Sequence, residues 1–167
     1  MRAVKFALAL ALGLAACSAP PKPAPALRDP AAWISSAVLF DPARFAGEWH
    51  VAESGTPGCA GAAQRWDWDG KAYRLSGVDC SGAKPAKLKG QAALTGPGAR
   101  FTPNEAFGRE PVWLLWVDQD YHVAVLGTPS GQFATVLSRG LPPRGDLLKA
   151  AREVLDFNGY DVTRIGR

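Results

Sequence analysis

The stretch Pro111–Ser138, PVWLLWVDQDYHVAVLGTPSGQFATVLS, decides the fold class of this chain. It holds three short apolar runs, 111–117, 121–127 and 132–138, which are rich in β-branched and aromatic residues. Two turn-forming links, Gln119-Asp120 and Thr128–Gly131, separate the runs and are short enough for hairpins. The stretch therefore predicts a three-stranded antiparallel meander.

The same pattern of short strands and tight links extends back toward residue 48. Five further strands are predicted over residues 48–54, 62–68, 71–79, 86–94 and 99–103. The 14 Pro and 18 Gly residues argue against a helical bundle. Eight strands in simple succession favour an all-β fold, an eight-stranded antiparallel up-and-down β-barrel, because closure leaves no open sheet edge. A barrel of this size can hold one small ligand.

Helical signals flank the predicted strands on both sides. Residues 40–45 predict one short helical turn, because an Asp in a capping position precedes a Pro. Near the other end, Asp146 is expected to cap a helix and Gly159 to end it. One face of that C-terminal α-helix is apolar, so it should pack outside the barrel. A short final strand is expected over Tyr160–Ile165.

The first sixteen residues have the features of a secretory signal peptide. Two basic residues precede an unbroken apolar run of 11 residues, Phe6–Ala16, which is too short for an ordinary transmembrane helix. The run ends in Leu14-Ala15-Ala16-Cys17, which resembles the lipobox of bacterial lipoproteins. That resemblance implies cleavage before Cys17 and acylation of this residue, for example with palmitate. The alternative is a plain signal peptide without lipid.

These features divide the chain into three parts. Residues 1–16 are the signal peptide, residues 17–39 are the lipidated Cys and a Pro-rich tether, and residues 40–167 are the barrel domain. The later part of the tether, 31–39, is apolar enough to lie against the barrel floor.

Acylation of Cys17 would leave Cys59 and Cys80 as an even pair in an exported protein. A two-residue turn at Asp69-Gly70 would place these two residues opposite each other, within the Cα separation that a disulfide accepts. A catalytic or metal-binding pair is disfavoured, because the sequence has no Cys-x-x-Cys and only two His. The sequence favours a disulfide and no metal site.

The turn registers assign one face of each strand to the barrel interior. With Gln119-Asp120 as a two-residue turn, Val117 would lie opposite His122, and the larger side chains of the last three strands share one face. The predicted ligand-binding residues on the inward faces are Trp66, Trp68, Tyr73, Trp113, Leu115, Phe133, Thr135 and Leu137. Such a lining suits an elongated lipophile, and alternatively the same side chains fill a solid small barrel.

Three motifs resemble those of the lipocalin family, most of all bacterial outer-membrane lipoprotein lipocalins and their apolipoprotein D relatives. Gly47-x-Trp49 is similar to the family's Gly-x-Trp on the first strand. Asp118-x-Asp120-Tyr121 is similar to its turn between the sixth and seventh strands, and Ser138-Arg139 to the end of its last barrel strand. The resemblance implies that Arg139 stacks on Trp49 and closes the barrel floor.

The resemblance also implies a function. A membrane-anchored lipocalin of this kind would bind a small hydrophobic ligand, such as a fatty acid or lysophospholipid, for storage or transport at the periplasmic side of the outer membrane. The alternative is a periplasmic protein-interaction barrel such as a protease inhibitor, which shares the Gly-x-Trp start and a nearby cystine. A homodimer is left open.

Several other functions are disfavoured. We expect no nucleic-acid partner, because no dense Lys/Arg cluster is present, and no cofactor. We expect no enzymatic activity, because metal-ligand spacing, a phosphate loop and a nucleophile elbow are missing from the sequence. Glu53 is the one residue that suggests acid–base work, and we expect it at the barrel rim or against a polar head group.

Overall fold

The computed structural model describes residues 25–166. Its eight strands are β1 (Gly47–Ser54), β2 (Ala63–Trp68), β3 (Ala72–Asp79), β4 (Ala86–Leu94), β5 (Arg100–Pro103), β6 (Val112–Val117), β7 (Val123–Gly127) and β8 (Ala134–Ser138). Each strand pairs antiparallel with the next, and β8 pairs with β1, so the sheet is a closed barrel. The predicted fold class is confirmed. The signal peptide, Cys17 and the first part of the tether lie outside the described residues.

A short helix, α1 (Pro42–Phe45), covers one end of the barrel, which we call the floor. The Asp41 side chain accepts the backbone N–H groups of Ala43 and Arg44, and a Pro occupies the first turn, as predicted. Phe45 is fully buried, and its ring lies 5.0 Å from that of Trp49. The opposite end, which we call the mouth, is formed by the loops 55–62, 80–85, 104–111 and 128–133.

The helix α2 (Gly145–Phe157) packs on the outer wall of the barrel, as predicted. Its buried residues, Leu148, Ala151 and Leu155, join the outward-facing side chains of β7 and β8 in one apolar cluster. At its end, Gly159 has a φ of +80°, its N–H donates to the Asp156 carbonyl, and the Tyr160 N–H donates to the Leu155 carbonyl. This pairing is the Schellman motif, in which glycine is favoured.

Two predictions for the C-terminal region are wrong. Asp146 does not cap α2, because the helix begins at Gly145 and Asp146 lies within its first turn, where its carboxylate pairs with Arg144 at 2.6 Å. Tyr160–Ile165 is not a strand but contains a 3-10 turn over Val162–Arg164, with single bridges at Tyr160 and Gly166. Because the barrel is closed, it offers this segment no continuous free edge, and Gly166 forms a single bridge to Ser54 at the end of β1.

The segment before α1 lies along the barrel from Leu27 onward. Leu27 and Arg28 are buried, and the Arg28 Nε donates to the Asn158 carbonyl at 3.1 Å. The Ala37 N–H donates to the Leu114 carbonyl at 2.8 Å, and the Phe40 ring lies 5.8 Å from Phe101. Among residues 25–166, no helix has the length and apolar character needed to cross a membrane.

The hairpin registers differ from the predicted ones by two residues. Trp68 pairs with Tyr73, because the Asp69 carboxylate accepts the N–H groups of Lys71 and Ala72 and so widens the turn to four residues. A shift of two residues keeps the side chains of β2, β3, β7 and β8 on their predicted faces. The Cys59–Cys80 disulfide is confirmed, although Cys59 lies in the loop before β2 rather than in a strand.

Candidate functional site

The interior of the barrel is packed with aromatic rings. Trp66 lies at the centre, with ring centroids 5.5 Å from Tyr73, 5.8 Å from Phe101 and 5.7 Å from Phe107. All four side chains are at most 2% exposed. Because almost none of their surface is accessible to water, the rings fill the space between the strands instead of lining an open calyx.

Most of the predicted ligand-lining residues face the interior. Trp66, Tyr73, Phe133 and Leu137 belong to the inner cluster, and Trp68 packs against it from a half-buried position. Thr135 is fully buried, and its hydroxyl donates to the Glu53 carbonyl at 2.8 Å. Their role in holding a ligand stays a prediction.

The predicted inward orientation of Trp113 and Leu115 is wrong. Both side chains belong to the outer cluster beneath α2. The cause is a β-bulge in β6, where Leu114 pairs with Leu126 but Trp116 pairs with Val125. The extra residue inverts the faces on one side of the bulge, so Leu114 points inward in their place.

One side chain that sequence reasoning missed, Phe107, closes the mouth. It stands on a 3-10 turn (Phe107–Arg109) and stacks between Trp66 and Phe133, whose ring centroids lie 5.7 and 5.4 Å away. Its N–H donates to the Asp79 carboxylate at 2.9 Å. No period or motif marks this residue, and the only sequence signal is a lone aromatic residue beside a Gly in a polar loop.

The backbone of this mouth turn is strained. Phe107 and Arg109 have φ values of +53° and +65°, which place two non-glycine residues in the left-handed region. Each such residue costs of order 1–3 kcal/mol. The turn therefore holds the Phe107 ring in the barrel at the expense of local backbone energy.

The other side of the mouth is held firmly. The Cys59–Cys80 disulfide ties the loop before β2 to the loop after β3. The Thr56 hydroxyl lies 2.6 Å from the Cys80 carbonyl and 2.8 Å from the Gly82 carbonyl, and so joins the same two loops. The loops 55–62 and 80–85 are therefore joined to each other, whereas the turn that carries Phe107 is bound to the end of β3 through Asp79.

The floor is closed by Arg139, as the motif predicted. Its guanidinium lies 3.8 Å from the centre of the Trp49 ring and donates to the Glu48 carbonyl at 2.7 Å and the Ala46 carbonyl at 2.8 Å. Burial lowers the pKa of this guanidinium from its usual value. The Tyr73 hydroxyl also donates to the Pro42 carbonyl at 2.6 Å, and burial raises its pKa well above the usual value.

Comparison with known proteins supports this architecture. No protein-family model and no curated protein matches the chain. Among solved structures, lobster apocrustacyanin A1 superposes with a TM-score of 0.56 at 15% identity, covering 74% of this chain and 76% of that one. The H1 crustacyanin of the lobster Homarus americanus gives a TM-score of 0.54 at 14% identity, covering 81% and 88%. Crustacyanins are lipocalins.

The fold is that of the lipocalins. A third structure, apocrustacyanin C1, agrees, with a TM-score of 0.54 at 16% identity over 73% of this chain and 75% of that one. At this level of identity the likeness concerns the fold alone.

The Asp118–Tyr121 turn of this lipocalin fold brings together Asp118, Asp120 and His122, whose polar atoms lie within 4.8 Å of one another. The Asp118 carboxylate already accepts the N–H groups of His122 and Val123, at 2.7 and 2.6 Å. Tyr121 has a φ of +60°, and its hydroxyl accepts the Asp41 N–H at 2.7 Å. These bonds close the turn and tie it to the floor, so we assign no metal to it.

Glu53 lies neither at the rim nor in the interior of the lipocalin barrel, and that prediction is wrong. A bulge in β1 turns it to the outer wall, where its fully buried carboxylate pairs with Arg152 of α2. The Arg152 Nε lies 3.0 Å from Oε2 of Glu53, and this hydrogen bond and charge raise the pKa of Arg152. The pair fastens α2 to the barrel and leaves Glu53 unsuited to acid–base work.

Proposed function

We propose that this chain is a lipoprotein lipocalin, anchored in the outer membrane through Cys17, that binds a small hydrophobic ligand at the periplasmic side for storage or transport. A fatty acid or a lysophospholipid is the ligand class that fits. The ligand part rests on one observation, which is the contrast between the two ends of the barrel. Arg139 and α1 fasten the floor, whereas one ring on a strained turn closes the mouth.

The composition of the interior supports a lipophilic ligand. The rings of Trp66, Tyr73, Phe101 and Phe133 surround the Phe107 ring or lie below it. The buried amide of Gln64 is already occupied, because its Nε2 donates to the Val78 carbonyl at 2.9 Å. A ligand that replaced the Phe107 ring would therefore meet aromatic surface, which favours an acyl chain over a polar molecule.

The energetics of opening are compatible with such exchange. Moving the Phe107 ring into water costs about 1.5–3 kcal/mol. Opening also breaks the hydrogen bond from the Phe107 N–H to the Asp79 carboxylate. Relaxation of Phe107 and Arg109 out of the left-handed region, of order 1–3 kcal/mol for each residue, offsets these costs and lowers the energy that an incoming acyl chain must supply.

Membrane anchoring is supported by the sequence. The lipobox-like Leu14-Ala15-Ala16-Cys17 follows an apolar run of signal-peptide length. Acyl chains contribute about 0.8 kcal/mol per buried CH₂, so a doubly acylated Cys17 would hold the protein on a bilayer. The periplasmic side of the outer membrane is the location that this signal favours.

A protein-interaction barrel such as a protease inhibitor is the second candidate, and it is less well supported. In such inhibitors the N-terminal segment inserts into the protease, whereas the proposed acylation of Cys17 would tie that segment to a membrane. Within the described residues, Leu27 and Asp29 are hydrogen-bonded to Gly131 and Gly159. We likewise propose a binding protein rather than an enzyme.

Mass spectrometry tests the proposal. The Cys17→Ser chain, which cannot be acylated, is purified from a bacterial periplasm and measured under native and denaturing conditions, with lipid extraction of the same sample. We expect a bound lipophile in the native spectrum that is lost on denaturation and that changes Trp emission when added back. A chain that carries no lipophile and rebinds neither fatty acid nor lysophospholipid would contradict the ligand part.

Acylation is read separately on the wild-type chain. The mature protein is expected to begin at Cys17 and to carry the mass of two or three acyl chains. A mature N-terminus at any other residue would contradict the anchor and leave the ligand result intact.

A further inference from the structure

Four large apolar side chains among the described residues are mostly exposed to water. Trp33 is 91% exposed, Leu39 90%, Val38 83% and Phe157 75%. We call these four residues the apolar strip. Scattered exposed apolar residues are common on protein surfaces, but nearly complete exposure of a Trp together with two aliphatic residues of the same short segment is not.

The segment that carries three of the four residues runs along the barrel. The Ser35 N–H donates to the Asn158 side chain at 2.8 Å, which places the segment after Trp33 beside the C-terminal end of α2 and thus near Phe157. From there the Ala37 N–H bonds to the Leu114 carbonyl and carries the segment across β6 toward the floor, where Val38 and Leu39 precede α1.

The segment that carries the strip has apolar residues on both of its sides. Ile34 packs on the outer cluster beneath α2, while Ala37 and Phe40 pack on the inner cluster. Trp33, Val38 and Leu39 remain outside, as does Ser35. A segment needed only to cover the barrel would carry polar residues at all of its outer positions, so these three side chains point to contact with an apolar surface.

We propose that the apolar strip contacts the bilayer in which the chain is anchored and holds the barrel against that surface. The inference rests on the proposed acylation of Cys17. Pro25 lies eight positions after Cys17, and such a length of chain spans at most about 29 Å. The Arg164 side chain binds the Pro25 carbonyl at 2.9 Å, and Trp33 follows Pro25 by eight positions, so the anchored segment joins the barrel shortly before the strip begins.

The side chains of the strip match a lipid surface. The amphipathic ring of Trp is favoured at the level of the lipid head groups, and aliphatic and phenyl side chains gain from contact with the acyl region. The anchor supplies the affinity, and the strip sets the orientation. A second copy of the chain is the other surface that could cover these residues, and the test separates the two.

The test uses Trp emission of the acylated chain in phosphatidylethanolamine/phosphatidylglycerol vesicles. Brominated phospholipids quench Trp rings in contact with the bilayer, and iodide quenches rings in contact with water. Wild type is compared with Trp33→Phe, and with Trp116→Phe as a control for a half-buried Trp under α2. Co-sedimentation with the vesicles reports anchoring in each sample.

We expect brominated lipid to quench wild type and Trp116→Phe, and Trp33→Phe to lose at least about half of that quenching. Co-sedimentation without quenching of Trp33 by brominated lipid, or with Trp33 still quenched by iodide, would be compatible with the anchor and would contradict the contact between the strip and the bilayer. Failure to co-sediment would refute anchor and strip together. A Cys17→Ser dimer that shields Trp33 from iodide in the absence of vesicles would assign the strip to a second copy instead.

Discussion

Replacing Arg139 with alanine is expected to destabilise the barrel by about 3–5 kcal/mol. The guanidinium stacks on Trp49 at 3.8 Å, and a partly desolvated contact of this kind contributes up to about 2 kcal/mol. Its hydrogen bonds to the Glu48 and Ala46 carbonyls are charge-assisted, and we count about 1 kcal/mol for each because the side chain is only half-buried. The rest of the expected destabilisation comes from the backbone carbonyls that Arg139→Ala leaves without a donor.

Urea unfolding at pH 7, followed by Trp emission, measures this effect. Arg144→Ala is the matched control, because that arginine is exposed and its ion pair is with the exposed Asp146, so no measurable change is expected. Arg139→Lys should recover part of the loss, since an ammonium can replace some of the hydrogen bonds but not the stacked plane. A free energy of unfolding for Arg139→Ala within 1 kcal/mol of wild type would refute the reasoning.

Three further predictions concern other contacts of the structure. Arg152→Met should destabilise the protein by about 3 kcal/mol, because it leaves the buried Glu53 carboxylate unpaired. The double variant Glu53→Gln/Arg152→Met should be destabilised less, because it buries no unpaired charge. Equal losses of stability for the single and the double variant in urea unfolding would contradict this. Burial raises the pKa of Tyr160 to about 12, above its value of about 10 in the unfolded chain. The protonated hydroxyl therefore contributes about 2–3 kcal/mol to the free energy of unfolding, which is complete below pH 10 and is lost as the pH rises through 12. A Tyr160→Phe variant that loses stability at the same alkaline pH as wild type would exclude Tyr160 as the cause of that loss. Trp113→Phe should leave fatty-acid affinity unchanged while Phe133→Ala alters it, and the reverse result would place Trp113 in the interior.

The order of the strands could be predicted from sequence because each strand is short, alternating and bounded by turn residues. The registers could not, since they depend on hydrogen bonds inside the turns. Asp69 and Asp118 each accept two N–H groups beyond the expected two-residue link and move the pairing by two positions. The faces of Trp66, Tyr73 and Phe133 were nevertheless predicted correctly, because a shift of two preserves the alternation.

Bulges explain why the rest of the site was not predictable. A single extra residue in β1 turns Glu53 outward, and another in β6 does the same to Trp113 and Leu115. The position of a bulge depends on how the partner strands fit together, which alternation within one strand does not contain. The position of Phe107 was not predicted for a related reason. It follows from an unusual backbone turn and not from any periodic pattern.

Titration of palmitic acid into the Cys17→Ser chain tests the central claim most directly. Wild type is compared with Phe107→Ala and with the control Phe157→Ala, which removes an exposed ring, and near-UV circular dichroism verifies that each variant is folded. Burial of the Phe107 ring contributes about 1.5–3 kcal/mol, and the ligand must displace that ring in wild type but not in Phe107→Ala. Phe107→Ala should therefore bind at least about tenfold more tightly, with Phe157→Ala unchanged. Folded variants that bind palmitic acid no better than wild type, or not at all, would show that the aromatic interior is a solid core.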